Sequence, residues 1–267
     1  MIKPGEIQQK AREAGVRDQQ IEKDYILSWI LQGMAQHNQL KECLVFKGGT
    51  VLKKAFFEDY RLSEDLDFTL TDEHISKEKI FEWFDEAYAY IKEKANIPCE
   101  IIDNNEHEDG GINFYISYTG PLGGQGSNKK VKVDISRSEQ LVFEPDVRPL
   151  FTPYSDLESA RLPCYSLEEI LVEKMRSVMQ RMAARDFYDI WYLTEVAEIE
   201  AAHYANEFKT KCESKNLDPA HFVKKLQDRL PQYKGRWESS LSEQIQDLPD
   251  FDRVTREVQR HLKKFNF

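Results

Sequence analysis

Apolar residues recur along the chain with two periods. Ile26, Trp29, Ile30 and Met34 are spaced three and four apart, which predicts a helix within residues 5–36 with one face committed to packing. Residues 44–46 then read as a strand, followed by Gly48-Gly49 and a helix bearing Val51, Leu52, Ala55 and Phe56. Alternation resumes over residues 66–70. Ser76 is placed to cap a helix carrying Ile80, Phe84, Ala87 and Ile91, and three further strands are expected over residues 99–102, 112–118 and 131–135. The last two flank GPLGGQGSNKK, which reads as a mobile hairpin loop rather than a phosphate cradle, since it opens no helix.

The pattern changes past residue 145. EPDVRPLFTPYSD carries Pro145, Pro149 and Pro153 without periodicity, so residues 146–165 are expected to form a linker. Ser166 with Glu169 forms a capping box, Asp218-Pro219 starts another helix, and Val254, Val258 and Leu262 stripe a last one. The expected organisation is N-terminal helices over residues 1–40, a core over 41–145, the linker, and a helical region over 166–267. The fold class is α+β with an α/β core: a mixed β-sheet with flanking helices and a C-terminal helical region.

Composition narrows the function. Forty-seven acidic against 37 basic residues give a formal charge of -10, which excludes a uniformly basic nucleic-acid surface and leaves room only for a local one. Cys43, Cys99, Cys164 and Cys212 form no C-x-x-C pair and read as reduced thiols. No stretch approaches a membrane span, and the opening MIKPGEIQQKAREAG lacks the apolar run of a secretion signal, so the expected location is the cytoplasm. The six histidines are scattered without ligand spacing and read as surface or packing residues.

The candidate chemistry lies in KGGTVLKKAFFEDYRLSEDLDF. On a strand, Asp65 and Asp67 project to one face while Leu66, Phe68 and Leu70 project to the other. Two anions so close repel unless a cation lies between them, and hard oxygen ligands suit Mg²⁺ or Mn²⁺. KVKVDIS places Lys132, Asp134 and Ser136 on one strand face, so Asp134 is a candidate third carboxylate for a metal site. Gly48 and Gly49, between a strand and a helix, suit close approach of a phosphate, and Thr50 adds a hydroxyl. Taken singly, each feature is also an ordinary tight turn or a solvated strand end; their order and spacing favour a site.

Gly-Gly-Thr followed by R-x-S-x-D-x-D (Arg61, Ser63, Asp65, Asp67) resembles the polymerase-β-type nucleotidyltransferases, specifically the AbiEii/AbiGii abortive-infection toxins. QIEKDYILSWIL resembles the N-terminal helix of that family, and EKMRSVMQRMAARDFYDIWYL its K-x6-R-x3-R-D-x2-D segment, with Lys174, Arg181, Arg185, Asp186 and Asp189 at the matching positions. The resemblance spans residues 20–193. It implies that Gly48, Gly49 and Thr50 hold a triphosphate, that Asp65 and Asp67 bind Mg²⁺, and that Lys174 and Asp189 complete the catalytic centre. Asp134 matches the third acid usual in this fold, and Ser63 either donates to a phosphate or caps a turn. Arg181 and Arg185 are candidate nucleotide-binding cations: Lys174 and Arg181 lie about 20° apart around a helix, with Arg185 on the same stripe if the helix continues. The alternative for that stripe is a solvated face with i,i+4 ion pairs. Asp189, among Phe187, Tyr188, Ile190 and Trp191, needs a partner if buried.

The resemblance further implies a toxin of a toxin–antitoxin pair, using an NTP, with RNA such as the tRNA 3′ end as acceptor and a cognate antitoxin as partner. Two other readings use fewer of these residues: a glycosyltransferase holding Mn²⁺ on Asp-x-Asp, and a DNA-binding regulator whose first helices imitate a helix-turn-helix. Lys224, Lys225, Arg229, Lys234, Arg236, Arg256, Arg260, Lys263 and Lys264 offer either a basic patch to RNA or, with acidic residues interspersed, a solvated helix face, and the second reading is favoured.

Overall fold

The computed structural model describes residues 1–108, 110–124 and 129–265. The chain divides into two compact units, residues 1–139 with 145–164, and residues 140–144 with 165–267.

In the first unit the predicted N-terminal helix is two, α1 (Pro4–Ala14) and α2 (Asp18–Gln36). Gly15 separates them with φ +64°, its N–H returning to the carbonyls of Ala11 and Arg12. A short α3 (Asn38–Cys43) leads into β1 (Leu44–Lys47). α4 (Gly48–Val51) follows without a break, prolonged by a π-helical turn, Leu52–Phe56, and then β2 (Asp65–Leu70). α5 (Lys77–Ala95) begins at Ser76, whose hydroxyl accepts from the Lys79 N–H, as its sequence predicts. β3 (Cys99–Glu106), β4 (Ile112–Tyr118) and β5 (Lys130–Ser136) complete the predicted strands. Residues 125–128 of the expected mobile hairpin loop lie outside the described residues.

The proline-rich segment is more ordered than a linker. Asp146–Pro149 forms β6 and Arg161–Cys164 forms β7, which extend one sheet of order β3-β4-β5-β2-β1-β7-β6. Both strands are four residues long and contain a proline, so neither shows a readable alternation. β6 is an edge strand, where a missing N–H is tolerated.

The sheet is two-faced. Phe46, Phe68, Ile135 and Ile112 are in register across β1, β2, β5 and β4, and Leu66, Val133 and Phe114 form the next apolar row. Phe114 meets Phe81 and Phe84 of α5 at ring-centroid distances of 5.1 and 5.2 Å. α2 is buried nearly all round rather than on one stripe. Its polar Asp24 is satisfied inside: Lys54 Nζ lies 2.7 Å from Asp24 Oδ1, and the Tyr154 hydroxyl donates to Asp24 Oδ2 at 2.8 Å.

The second unit is helical: α6 (Leu167–Gln180), α7 (Ala184–Trp191), α8 (Ala205–Glu213), α9 (Phe222–Leu241) and α10 (Phe251–Leu262). Phe187 stacks on Tyr233 at 5.3 Å and meets Trp237 and Phe251. Only half of the capping box forms. Ser166 accepts from the Glu169 N–H, but the Glu169 carboxylate takes the N–H groups of Val142 and Phe143 and pairs with buried Lys211 at 2.5 Å.

Candidate active site

The polar face of the sheet collects the predicted carboxylates. Asp67 of β2 is in register with Asp134 of β5, and Asp65 with Lys132, so all three acids project from adjacent strands to one side. The same cross-strand row includes Lys47 of β1, partner of Asp67, and Asn113 of β4, partner of Asp134. Like charges so close are tolerated because cations stand among them. Lys132 Nζ lies 2.6 Å from Asp134 Oδ2, and Asn113 Nδ2 donates to Asp134 Oδ1 at 2.5 Å. Partial burial alone would lower the Lys132 pKa, but the hydrogen bond and charge of Asp134, with the charge of Asp65, raise it. Lys47 donates to the Ser136 hydroxyl at 3.1 Å.

Gly48 is fixed by this row. Its φ of +81° is a conformation that side chains disfavour, and a Cβ there would overlap the Asp67 carboxylate. Backbone and carboxylate therefore meet as only glycine permits. Gly49 is buried in the first turn of α4. Thr50 is 1% exposed, its Oγ1 lying 2.7 Å from the Ser63 hydroxyl and 2.5 Å from the Asp65 carbonyl oxygen. Thr50 and Ser63 thus tie the glycine turn to the start of β2. Arg61 is buried, with its guanidinium over the Tyr60 ring and Nη1 donating to the Leu62 carbonyl at 3.3 Å.

A cavity of about 680 Å³ opens beside the acids, lined in part by Asp65, Lys132, Tyr115, Lys130 and Lys23. Lys132 and Tyr115 belong to the row next to that of Asp67, paired across β5 and β4. The alternation of KVKVDIS places Lys132 on the Asp134 face; the parts played by Lys47 and Asn113 emerge only from the strand pairing.

In the helical unit, Lys174 lies 2.7 Å from both Asp186 and Asp189, which are all but inaccessible. The partner demanded by a buried Asp189 is therefore Lys174. Burial alone would raise the Asp186 carboxyl; the charge of Lys174 and the hydrogen bonds and charge of Arg181 outweigh it and hold it below its usual value. The continuous cationic stripe does not form. α6 ends at Gln180, Arg181 is extended (φ -123°, ψ 159°), and the chain restarts as α7 at Ala184. Arg181 grips Asp186 with Nε at 2.6 Å and Nη2 at 3.0 Å, and Arg185 opens α7 half-buried. Of the C-terminal basic residues, Lys224 pairs with Asp228 and Lys234 with Asp252, as a solvated face requires, while Arg229 and Arg236 donate to carbonyls of the Arg181–Met182 break.

Among the described residues no group of three or more His, Cys, Asp or Glu side chains is closed into metal-ligand geometry, and no helix is long and apolar enough to cross a membrane. The four cysteines are free thiols.

Solved structures share the fold, among them the following two. JHP933 from Helicobacter pylori superposes with a TM-score of 0.60 at 16% identity, over 93% of this chain and 92% of that one. MenT4, a nucleotidyltransferase toxin from Mycobacterium tuberculosis, gives 0.61 at 16% identity, over 99% and 89%. No curated protein matches the sequence. Residues 29–257 match the family described as nucleotidyl transferase AbiEii toxin, type IV toxin–antitoxin system. That match leaves the glycosyltransferase and the DNA-binding regulator without a supporting observation. The chain belongs to the AbiEii nucleotidyltransferase toxins of type IV toxin–antitoxin systems.

Proposed function

We propose that this toxin transfers a nucleoside monophosphate from an NTP to a hydroxyl of RNA, with the tRNA 3′ end as acceptor, releasing pyrophosphate in the cytoplasm. The observation that carries the reading is the cluster of Asp65, Asp67 and Asp134 on one sheet face, in two neighbouring rows, with the Gly48 backbone against Asp67.

The donor set fits Mg²⁺ or Mn²⁺. It consists of carboxylate oxygens without a soft ligand, and Asp134 is engaged by Lys132 and Asn113, so the row is an open platform rather than a closed cage. Mg²⁺ is commonly held in that way, by one or two carboxylates together with substrate phosphates. Asp65, Asp67 and Asp134 would hold the ion, which supplies charge neutralisation on the triphosphate and a lowered proton affinity of the attacking hydroxyl.

The chain's own groups do the positioning. Gly48 and Gly49 present backbone N–H groups at the start of α4 to phosphate oxygens, with no side chain on Gly48 to obstruct them. Thr50 and Ser63 hold that turn in register with Asp65. Lys174 and Asp189 are assigned to the catalytic centre, and Arg181 and Arg185 to nucleotide binding, on the family resemblance. As a type IV toxin the protein has an antitoxin as partner.

Incubation of purified protein with bulk RNA and, in parallel, labelled NTPs or labelled nucleotide sugars tests the proposal. Label should pass to RNA from at least one NTP and from no sugar nucleotide, and chelation of divalent cations should stop it. Transfer that survives exhaustive chelation would refute the metal assignment.

A further inference from the structure

We propose that the cavity of about 680 Å³ beside Asp65 seats the 3′-terminal nucleotides of a single-stranded RNA, one base stacking against Tyr115 and the backbone phosphates meeting Lys130 and its neighbours. The inference rests on the nucleotidyltransfer reading and adds the acceptor subsite.

Charge points first to a polyanion. The whole chain has 37 basic against 47 acidic residues, yet this cavity is lined by five cations, Arg17, Lys23, Lys129, Lys130 and Lys132, against three carboxylates. Much of that charge is already committed: Lys23 pairs with Glu64 at 2.9 Å, Lys129 pairs with Glu22, and Lys132 pairs with Asp134 at 2.6 Å. Lys130 is placed differently, with Nζ 4.1 Å from the centroid of the Tyr115 ring. Cation and aromatic surface are thus presented together. Proteins that hold single-stranded nucleic acid use that combination, stacking bases on rings and tracking phosphates with ammonium or guanidinium groups.

Position separates acceptor from donor. In the strand order β4-β5-β2-β1, the cavity is lined from β4 (Tyr115), β5 (Lys130, Lys132) and β2 (Asp65), whereas Gly48 and Gly49 follow β1. The carboxylates therefore lie between the glycine turn, assigned to the triphosphate, and the cavity. A nucleotide chain entering there brings its terminal hydroxyl toward Asp65 and Asp134 from the side opposite the leaving pyrophosphate. A duplex end offers no unstacked base to Tyr115.

The test is fluorescence anisotropy of the full chain with a 5′-labelled single-stranded RNA ending in a 3′ hydroxyl, without NTP. Tyr115→Ala and Lys130→Ala should each weaken binding about ten-fold or more, while Tyr115→Phe, which keeps the ring, should bind within about two-fold of wild type. Lys130→Ala should also flatten the slope of log K against log salt by about 0.7. In label transfer, the KM for RNA should rise in both alanine variants and the KM for NTP should not. Thermal unfolding checks each fold, and if Tyr115→Ala proves unfolded, Lys130→Ala decides the question. Wild-type protein that binds no single-stranded RNA, alanine variants that bind as wild type does, or a rise in the NTP KM alone would overturn the subsite. RNA binding that depends on Tyr115 and Lys130 without transfer of label from any NTP would leave the subsite standing and refute the transferase reading.

Discussion

Gly48 has neither the conformation nor the space for a side chain. With φ at +81° and the Asp67 carboxylate where a Cβ would go, Gly48→Ala should cost about 1–3 kcal/mol of stability. It should also slow transfer roughly 100-fold, because the turn and the carboxylate are displaced together. Chemical denaturation and initial rates measure the two effects separately. Thr50 makes a different prediction. Its hydroxyl is buried against Ser63 and the Asp65 carbonyl, so Thr50→Val should cost about 1–3 kcal/mol by leaving those groups without it. Ser63→Ala distinguishes the two roles open to that serine: as a phosphate donor its loss raises the NTP KM, and as a turn cap it lowers only the unfolding midpoint.

At the scale of elements, two buried charged clusters hold the helices in place. Lys54 binds Asp24 in the first unit and Lys174 binds Asp186 and Asp189 in the second. Lys174→Met removes the cation shared by two buried carboxylates, leaving Asp186 with Arg181 and Asp189 without its lysine, and should destabilise the chain by about 3–5 kcal/mol in urea titration. Burial alone would raise Asp24, but the charge of Lys54 and the hydrogen bonds from Lys54 and Tyr154 hold it below the ordinary value of 3.8, and Asp186 is lowered likewise. A carboxyl with a folded pKa below its unfolded one contributes stability that is complete above the unfolded value and fades as pH falls toward the folded one. Thermal midpoints should therefore hold steady down to about pH 5 and then drop through and below pH 4, less steeply in Asp24→Asn.

What could be read in advance also divides at this scale. The stripes of α5 and α10, the strands flanking the acids and the Ser76 cap were legible because each is decided by residues a few positions apart. The strands Asp146–Pro149 and Arg161–Cys164 were not, since four residues with a proline carry no period and become strands only through pairing. The break at Arg181–Ala183 was hidden for the same reason. Met182, Ala183 and Ala184 suit a helix, yet the exposed carbonyls of Arg181 and Met182 are taken by Arg229 and Arg236, about fifty positions further on. For the site, Asp65, Asp67 and Asp134 followed from alternation, whereas the row that Asp67 and Asp134 share with Lys47 and Asn113 depended on strand order.

For the molecule as a whole, family membership sets the expectation that the chain poisons its host. Inducible expression of the wild type should arrest growth, Asp67→Ala should not, and co-expression of the cognate antitoxin should restore growth to the wild-type strain. On the proposed reading, the face bearing Asp65, Asp67 and Asp134 performs nucleotidyl transfer to RNA. The most direct measurement is the rate at which purified protein moves label from α-labelled NTP to the 3′ end of RNA in Mg²⁺, for wild type and for an Asp67→Asn variant of unchanged thermal midpoint. The wild type should label RNA, and the variant should do so at least about 1000-fold more slowly, because it lacks a carboxylate at the reacting centre. Comparable rates from both, or unlabelled RNA from the wild type with every NTP, would contradict that reading.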